Sequence, residues 1–151
     1  MIQIKSILVP TDFSEHSRQA IKYACALAER FSAELHLLNV VQPLALSTPY
    51  AGALPEEVMY PVPAAEKEMS ELADPGFEQA AGVQRTVCTG TPFVEIVRYA
   101  REKDVDLIVM GTHGRGGLVH ALIGSVAEKV VRKAPCPVLT VRPEGHQFVM
   151  P

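Results

Sequence analysis

The segment Gly111-Thr112-His113-Gly114-Arg115-Gly116-Gly117 is dense in glycine, and Gly124-Ser125 follows shortly after it. A phosphate chain needs backbone N–H donors at close approach, and glycine permits both the approach and positive φ. Ser125 adds a hydroxyl at the start of a helical pattern, where a helix carries partial positive charge. Arg115 is the cation within the loop and can offset phosphate charge. Singly, each glycine reads as an ordinary turn. Together, after an apolar run and ending at a helix start, they point to an anion site. A second segment, Pro10-Thr11-Asp12-Phe13-Ser14, also follows an apolar run and supplies a carboxylate. Asp12 with Glu15 fits D-x-x-E, the spacing of a helix capping box, and its carboxylate can also meet a ligand at the strand end. His113 reads equally as a polar loop residue or a phosphate neighbour.

Two familiar phosphate motifs are excluded by spacing. A dinucleotide fingerprint needs GxGxxG after the first strand, and no glycine precedes Gly52. A P-loop needs GxxxxGK[ST], and no lysine lies between Lys103 and Lys129.

The elements that must position these segments alternate along the chain. Ile4–Val9, Leu35–Val41 and Val105–Met110 are nearly continuous apolar runs, as expected of parallel strands covered on both faces. Val83–Cys88 and Val138–Val141 are shorter or more mixed and suit sheet edges. Between them, Glu15–Phe31 carries a helical stripe of Ala20, Ile21, Ala24, Leu27, Ala28 and Phe31. Phe93–Lys103 and Ser125–Ala134 are also helical, with Pro92 suited to a first turn and Pro135 ending the last helix. The β-α-β-α-β-α-β-α-β order predicts a doubly wound α/β fold with a five-stranded parallel sheet and helices on both faces. In such sheets ligands sit beyond the carboxyl ends of the strands, where successive crossovers diverge. With strand order 3-2-1-4-5, the Asp12 segment and the glycine segment flank one crevice.

Gln42–Pro63 is the exception, with five of the chain's twelve prolines. It reads as a long loop, either folded over the sheet edge or serving as a lid or partner contact. A short helix, Ala64–Ala73, follows and breaks at Asp74-Pro75-Gly76, its Glu66, Glu68 and Glu71 forming a solvated face. The tail from Pro143 (residues 143–151) reads as frayed.

At 151 residues, with 48% hydrophobic and 21% charged residues, the chain suits one domain with a packed core. A net charge of −3 is no footprint for nucleic acid or an anionic membrane. Cys25, Cys88 and Cys136 are widely spaced without a CxxC pair, so neither a disulfide scaffold nor a zinc site is indicated. They read as reduced thiols that pack as small apolar groups. His16, His36, His120 and His146 lack metal-ligand spacing and read as solvated or hydrogen-bonded. No signal peptide and no apolar run of about 18 residues is evident, so the expectation is a soluble, cytoplasmic domain over 1–151.

The spacing Gly111-x2-Gly114-x9-Gly124-Ser125 resembles the G-x2-G-x9-G-[ST] pattern of the ATP-binding branch of the universal stress protein family. Ile7-Leu8-Val9-Pro10-Thr11-Asp12-Phe13-Ser14, Asp106–Met110, Gly124-Ser125-Val126-Ala127-Glu128 and Pro135-Cys136-Pro137-Val138-Leu139 extend the likeness along nearly the whole chain. It departs at Gln42–Gly76. The resemblance implies an adenine nucleotide alpha hydrolase-like fold, ATP in the crevice and a homodimer along the strand Val138–Val141. It implies Asp12, with Pro10 and Thr11, beside the nucleoside, and Val40 against adenine. Gly111, Gly114, Gly124 and Ser125 would hold the phosphates, flanked by Met110, His113, Arg115 and Val126. Magnesium, if used, would be held mainly by the phosphates. Three functions remain open: an ATP-binding stress-response regulator with slow or no hydrolysis, a weak ATPase or transferase, and a dimeric interaction module, with residues 42–63 as a partner surface.

Overall fold

The computed structural model describes residues 1–43, 55–114 and 123–143. Its elements run β1 (Ser6–Pro10), α1 (Glu15–Phe31), β2 (Glu34–Val41), α2 (Glu56–Met59) and α3 (Pro61–Glu71), then a 3-10 turn (Pro75–Gln79). They continue with β3 (Gly82–Thr89), α4 (Pro92–Glu102), β4 (Leu107–Gly111), α5 (Ser125–Lys133) and β5 (Val138–Val141). The five strands form one parallel sheet in the order β3-β2-β1-β4-β5.

Strand alternation divides the core between the two faces. Ile7, Val9, Leu35, Leu37 and Val109 join Ala20, Ala24 and Ala28 of α1 and Met69 of α3 on one side. Leu8, Leu38, Ile108 and Met110 join Ile96 of α4 and Val130 of α5 on the other. The small residues of α1 let it lie close against the sheet.

β1 and β4 each begin later than the apolar runs imply. The cause is Asp106, whose Oδ2 accepts from the amides of Lys5 (2.7 Å) and Ser6 (3.0 Å) and from Ser6 Oγ (3.2 Å). The Asp106 side chain thus closes the amino end of the β1–β4 pair together with the backbone bond from the Asp106 amide to the Ser6 carbonyl at 3.1 Å. These donors, the Lys5 amide foremost, hold the Asp106 carboxyl below the usual carboxylate range against the opposing effect of burial. That stabilisation is complete above the unfolded carboxyl's pKa of about 3.9 and is lost as pH falls through the lower folded value. Asp106→Ala is expected to cost about 1–2 kcal/mol at pH 7 in urea denaturation, discounted for its partial exposure. Its stability should also fall less steeply in acid than the parent's, and an equally steep acid limb would contradict this role.

Residues 42–63 are less loop-like at their end than the sequence implies. Glu56–Met59 forms a helical turn and α3 starts at Pro61, with Pro63 also in its first turn. Proline is tolerated there because first-turn N–H groups lack intrahelical acceptors anyway. Leu44, Leu46, Tyr50 and Leu54 lie outside the described residues, as do Gly116, Gly117, His120 and most of the tail. The Asp74-Pro75-Gly76 break is the start of the 3-10 turn, with Asp74 Oδ1 accepting from the Gly76 amide at 2.8 Å. Glu66, Glu68 and Glu71 are exposed.

Cys25 is buried in the core, where burial first and Asp74 second push its thiol up to about 12. Burial also raises Cys88 and Cys136, both half-buried against the α4–α5 core. His36 is buried, its Nδ1 2.9 Å from the Tyr99 hydroxyl; burial lowers its pKa although Glu34 pulls the other way. Among the described residues, no helix is long and apolar enough to cross a membrane.

Candidate functional site

α1 and α3 cover one face of the sheet and α4 and α5 the other, so the crossovers diverge between β1 and β4. A cavity of about 660 Å³ opens there, beyond the carboxyl ends of β1, β2 and β4 and against the start of α5. Its size falls within the roughly 300–1,000 Å³ of small-molecule sites.

The β1 side of the site is a turn with several locking contacts. The Thr11 amide donates to the Leu38 carbonyl at 2.8 Å, continuing the strand by one bond. Phe13 then takes a left-handed backbone (φ 64°), uncommon for a non-glycine residue. It is held there because its amide donates to Thr11 Oγ1 at 3.1 Å and the Ser14 amide to Asp12 Oδ1 at 3.0 Å. Thr11 Oγ1 also bonds Ser17 Oγ at 3.0 Å, which donates to the Ser14 carbonyl at 2.9 Å. Of the two readings of Asp12, the capping box with Glu15 is not formed. Ser14 is the N-cap, its Oγ accepting from the Ser17 amide at 3.3 Å, while Asp12 sits before the helix and braces the turn.

The opposite side is built from the ends of the glycine loop. The Thr112 amide donates to the Val141 carbonyl at 3.0 Å, which anchors the loop to β5. The Gly124 amide donates back to the Thr112 carbonyl, tying the two ends of the loop together. This return is possible because Gly124 lacks a side chain: a Cβ there would lie 2.9 Å from the Thr112 oxygen. Gly114 is equally constrained, since a Cβ would lie 2.6 Å from Asp12 Oδ2. α5 has no side-chain cap, and its first intrahelical bond is from the Glu128 amide to the Gly124 carbonyl at 2.9 Å. The amides of Ser125, Val126 and Ala127 precede that bond and so have no intrahelical acceptor, and all three residues line the cavity.

Every residue that the family resemblance assigns to the site lines this cavity except Arg115, which lies outside the described residues. Pro10, Thr11 and Asp12 come from the β1 end, Val40 from β2, Met110, Gly111, His113 and Gly114 from the β4 end, and Gly124, Ser125 and Val126 from α5. His113 Nδ1 is 2.9 Å from Thr112 Oγ1, and its ring centroid is 6.1 Å from that of His16. Leu38, Ile96 and Ile123 add an apolar wall beside Val40 and Met110. Sequence reasoning missed these, along with Asn39 and Ser17. Asn39 had a visible signal, as a lone amide within the apolar run Leu35–Val41.

One wall is thus apolar and the other is backbone amide and glycine, so the site suits a flat apolar group joined to an anion. The described lining contains Asp12 and Glu128 but no lysine or arginine. No group of three or more His, Cys, Asp or Glu side chains arranged to hold a metal occurs among the described residues.

The universal stress protein family profile matches residues 3–142. The chain belongs to this family. A universal stress protein of Methanocaldococcus jannaschii is 37% identical over 147 residues, covering 91% of this chain and 82% of its relative. Among solved structures, universal stress protein UspA from Lactobacillus plantarum superposes with a TM-score of 0.81 at 30% identity, covering 94% of this chain and all of its own. A universal stress protein solved in complex with cAMP is similar at a TM-score of 0.68 and 25% identity, covering 95% of this chain and all of its own.

Proposed function

We propose that the chain is a stress-response regulator that binds ATP in this cavity, with slow or no hydrolysis. The observation that carries the reading is the pairing of an apolar slot with a glycine-lined helix start across one crevice. A relative of the same fold solved with cAMP supports an adenine nucleotide as the class of ligand. The phosphates would lie against Gly111, Gly114 and the amides of Ser125 and Val126, with Arg115 and His113 beside them. Asp12 would take a ribose hydroxyl. Magnesium would be held mainly by the phosphates, because the chain offers no dedicated cage among its described residues.

The strand pattern favours adenine over guanine. The Leu38 carbonyl faces β1, since it accepts from Thr11, whereas the Val41 carbonyl faces β3 and accepts from Gly90 at 2.9 Å. Successive residues of a parallel strand alternate sides, so Val40 directs its N–H and C=O toward β1's side, past the last β1–β2 pair, Pro10 and Leu38. A donor beside an acceptor matches N1 and the amino group of adenine. Guanine presents a ring N–H and a carbonyl in the opposite order and leaves both groups mismatched. Titration calorimetry is expected to show saturable ATP binding with GTP at least about ten-fold weaker. Absence of ATP binding would overturn the proposal.

Slow turnover follows from the lining. Fast phosphoryl transfer needs cations around the γ-phosphate and a group aligning the nucleophile. The described part supplies backbone donors and two carboxylates instead. Nucleotide would act by linkage, stabilising the bound conformation by about 2.7 kcal/mol at a hundred times Kd. We further propose a homodimer through β5, which is the outer strand beside β4 and carries the exposed Leu139. Light scattering is expected to return twice the chain mass, and Leu139→Lys to shift it toward the monomer.

A further inference from the structure

We infer that Asn39 is a positioning residue that reserves the backbone of Val40 for the base; this rests on the nucleotide-binding proposal above. Asn39 is 8% exposed, on a central strand whose neighbours Leu37 and Leu38 are wholly apolar and buried. An amide in that place is costly unless its hydrogen bonds are made. Its Nδ2 donates to the Thr11 carbonyl at 2.8 Å.

That carbonyl belongs to the first residue after β1. Continued parallel pairing would follow the bond from Thr11 to Leu38 with one from the Val40 amide to the Thr11 carbonyl. The Asn39 side chain supplies a donor to that oxygen from the same strand, one residue earlier. Pairing of β1 with β2 ends at Pro10 and Leu38, and Thr11 leads into the Asp12 turn. The amide side chain therefore satisfies the turn while the main chain of Val40 keeps its direction into the crevice. A leucine would extend the apolar stripe of Leu35 and Leu37 but would leave the Thr11 carbonyl to compete with the nucleotide for the Val40 amide.

The test uses the full chain with Asn39→Leu and Asn39→Ala, measuring ATP and GTP affinities by calorimetry and folding by urea denaturation. Asn39→Ala removes the donor without adding bulk, so it serves if the leucine variant folds poorly. The expected result is about a ten-fold weaker ATP affinity with GTP nearly unchanged, so that base preference disappears. A purely structural role would weaken ATP and GTP in parallel, or change the urea midpoint alone, and either result overturns the inference while leaving nucleotide binding intact. Retained ATP preference in a folded variant overturns it equally. If the unmodified chain binds neither nucleotide, the binding proposal and this inference fall together.

Discussion

Gly114→Val is expected to lower ATP affinity by at least about 100-fold, equivalent to about 3 kcal/mol, while costing no more than about 1 kcal/mol of stability in urea. The two halves of this expectation have separate causes. Gly114 is exposed, so a larger side chain there displaces no core atoms. Its Cβ, however, would lie 2.6 Å from Asp12 Oδ2, closer than packed atoms approach. Asp12 cannot simply swing away, because its Oδ1 accepts from the Ser14 amide in the turn after β1. A branched side chain therefore displaces the carboxylate assigned to ribose and occupies the space assigned to phosphate. Gly114→Ala should give an intermediate loss. Gly124→Val is a useful contrast: its clash is with the Thr112 carbonyl, so strain in the backbone should cost about 1–3 kcal/mol of stability as well. Undiminished ATP affinity in a folded Gly114→Val protein would remove the glycine wall from the phosphate site.

Ile108→Ala is expected to destabilise the fold by about 3–4 kcal/mol, within the range for buried large-to-small changes. Ile108 is fully buried in the middle of the sheet, opposite Leu8 on β1 and Val138 on β5. It belongs to the core cluster that includes Ile96 and Val130, so truncation leaves a void flanked by α4 and α5 that rigid neighbours fill only in part. Such a loss is a large share of the roughly 5–15 kcal/mol typical of a domain. Urea denaturation measures it directly, and Val131→Ala on the exposed side of α5 should stay within about 0.5 kcal/mol. A cost below about 1 kcal/mol at Ile108 would mean that the α4–α5 layer is not closely packed.

Many of the residues around the cavity were legible before any coordinates because their chemistry is local. Glycines that follow an apolar strand and precede a helix state where backbone amides can be reached, whatever surrounds them. The helical stripe of α1 and the apolar strand runs were readable for the same reason, since burial repeats with the period of the element. The readings that differ are those where another contact, near or far in sequence, took the place of the simplest pattern. Asp12 with Glu15 satisfies the spacing of a capping box, yet Ser14 takes the cap and Asp12 braces the preceding turn. Ile4 and Val105 look like strand residues, but Asp106 ends the ladder by bonding the amides of Lys5 and Ser6. The prolines at 61 and 63 suggested a loop, although a helix accepts them in its first turn.

By itself the sequence determined the alternation of strands and helices, the apolar faces that must be buried, and the glycine and acid segments able to meet a charged ligand. Only the tertiary structure decided that β1 and β4 are neighbours, that Gly114 stands against Asp12, and that the Asn39 amide answers the Thr11 carbonyl. The difference is physical. Local pattern fixes which groups face inward along one element, whereas the partner of a carbonyl or carboxylate depends on which strand end packs beside it, and that is set by the way the whole chain crosses its sheet.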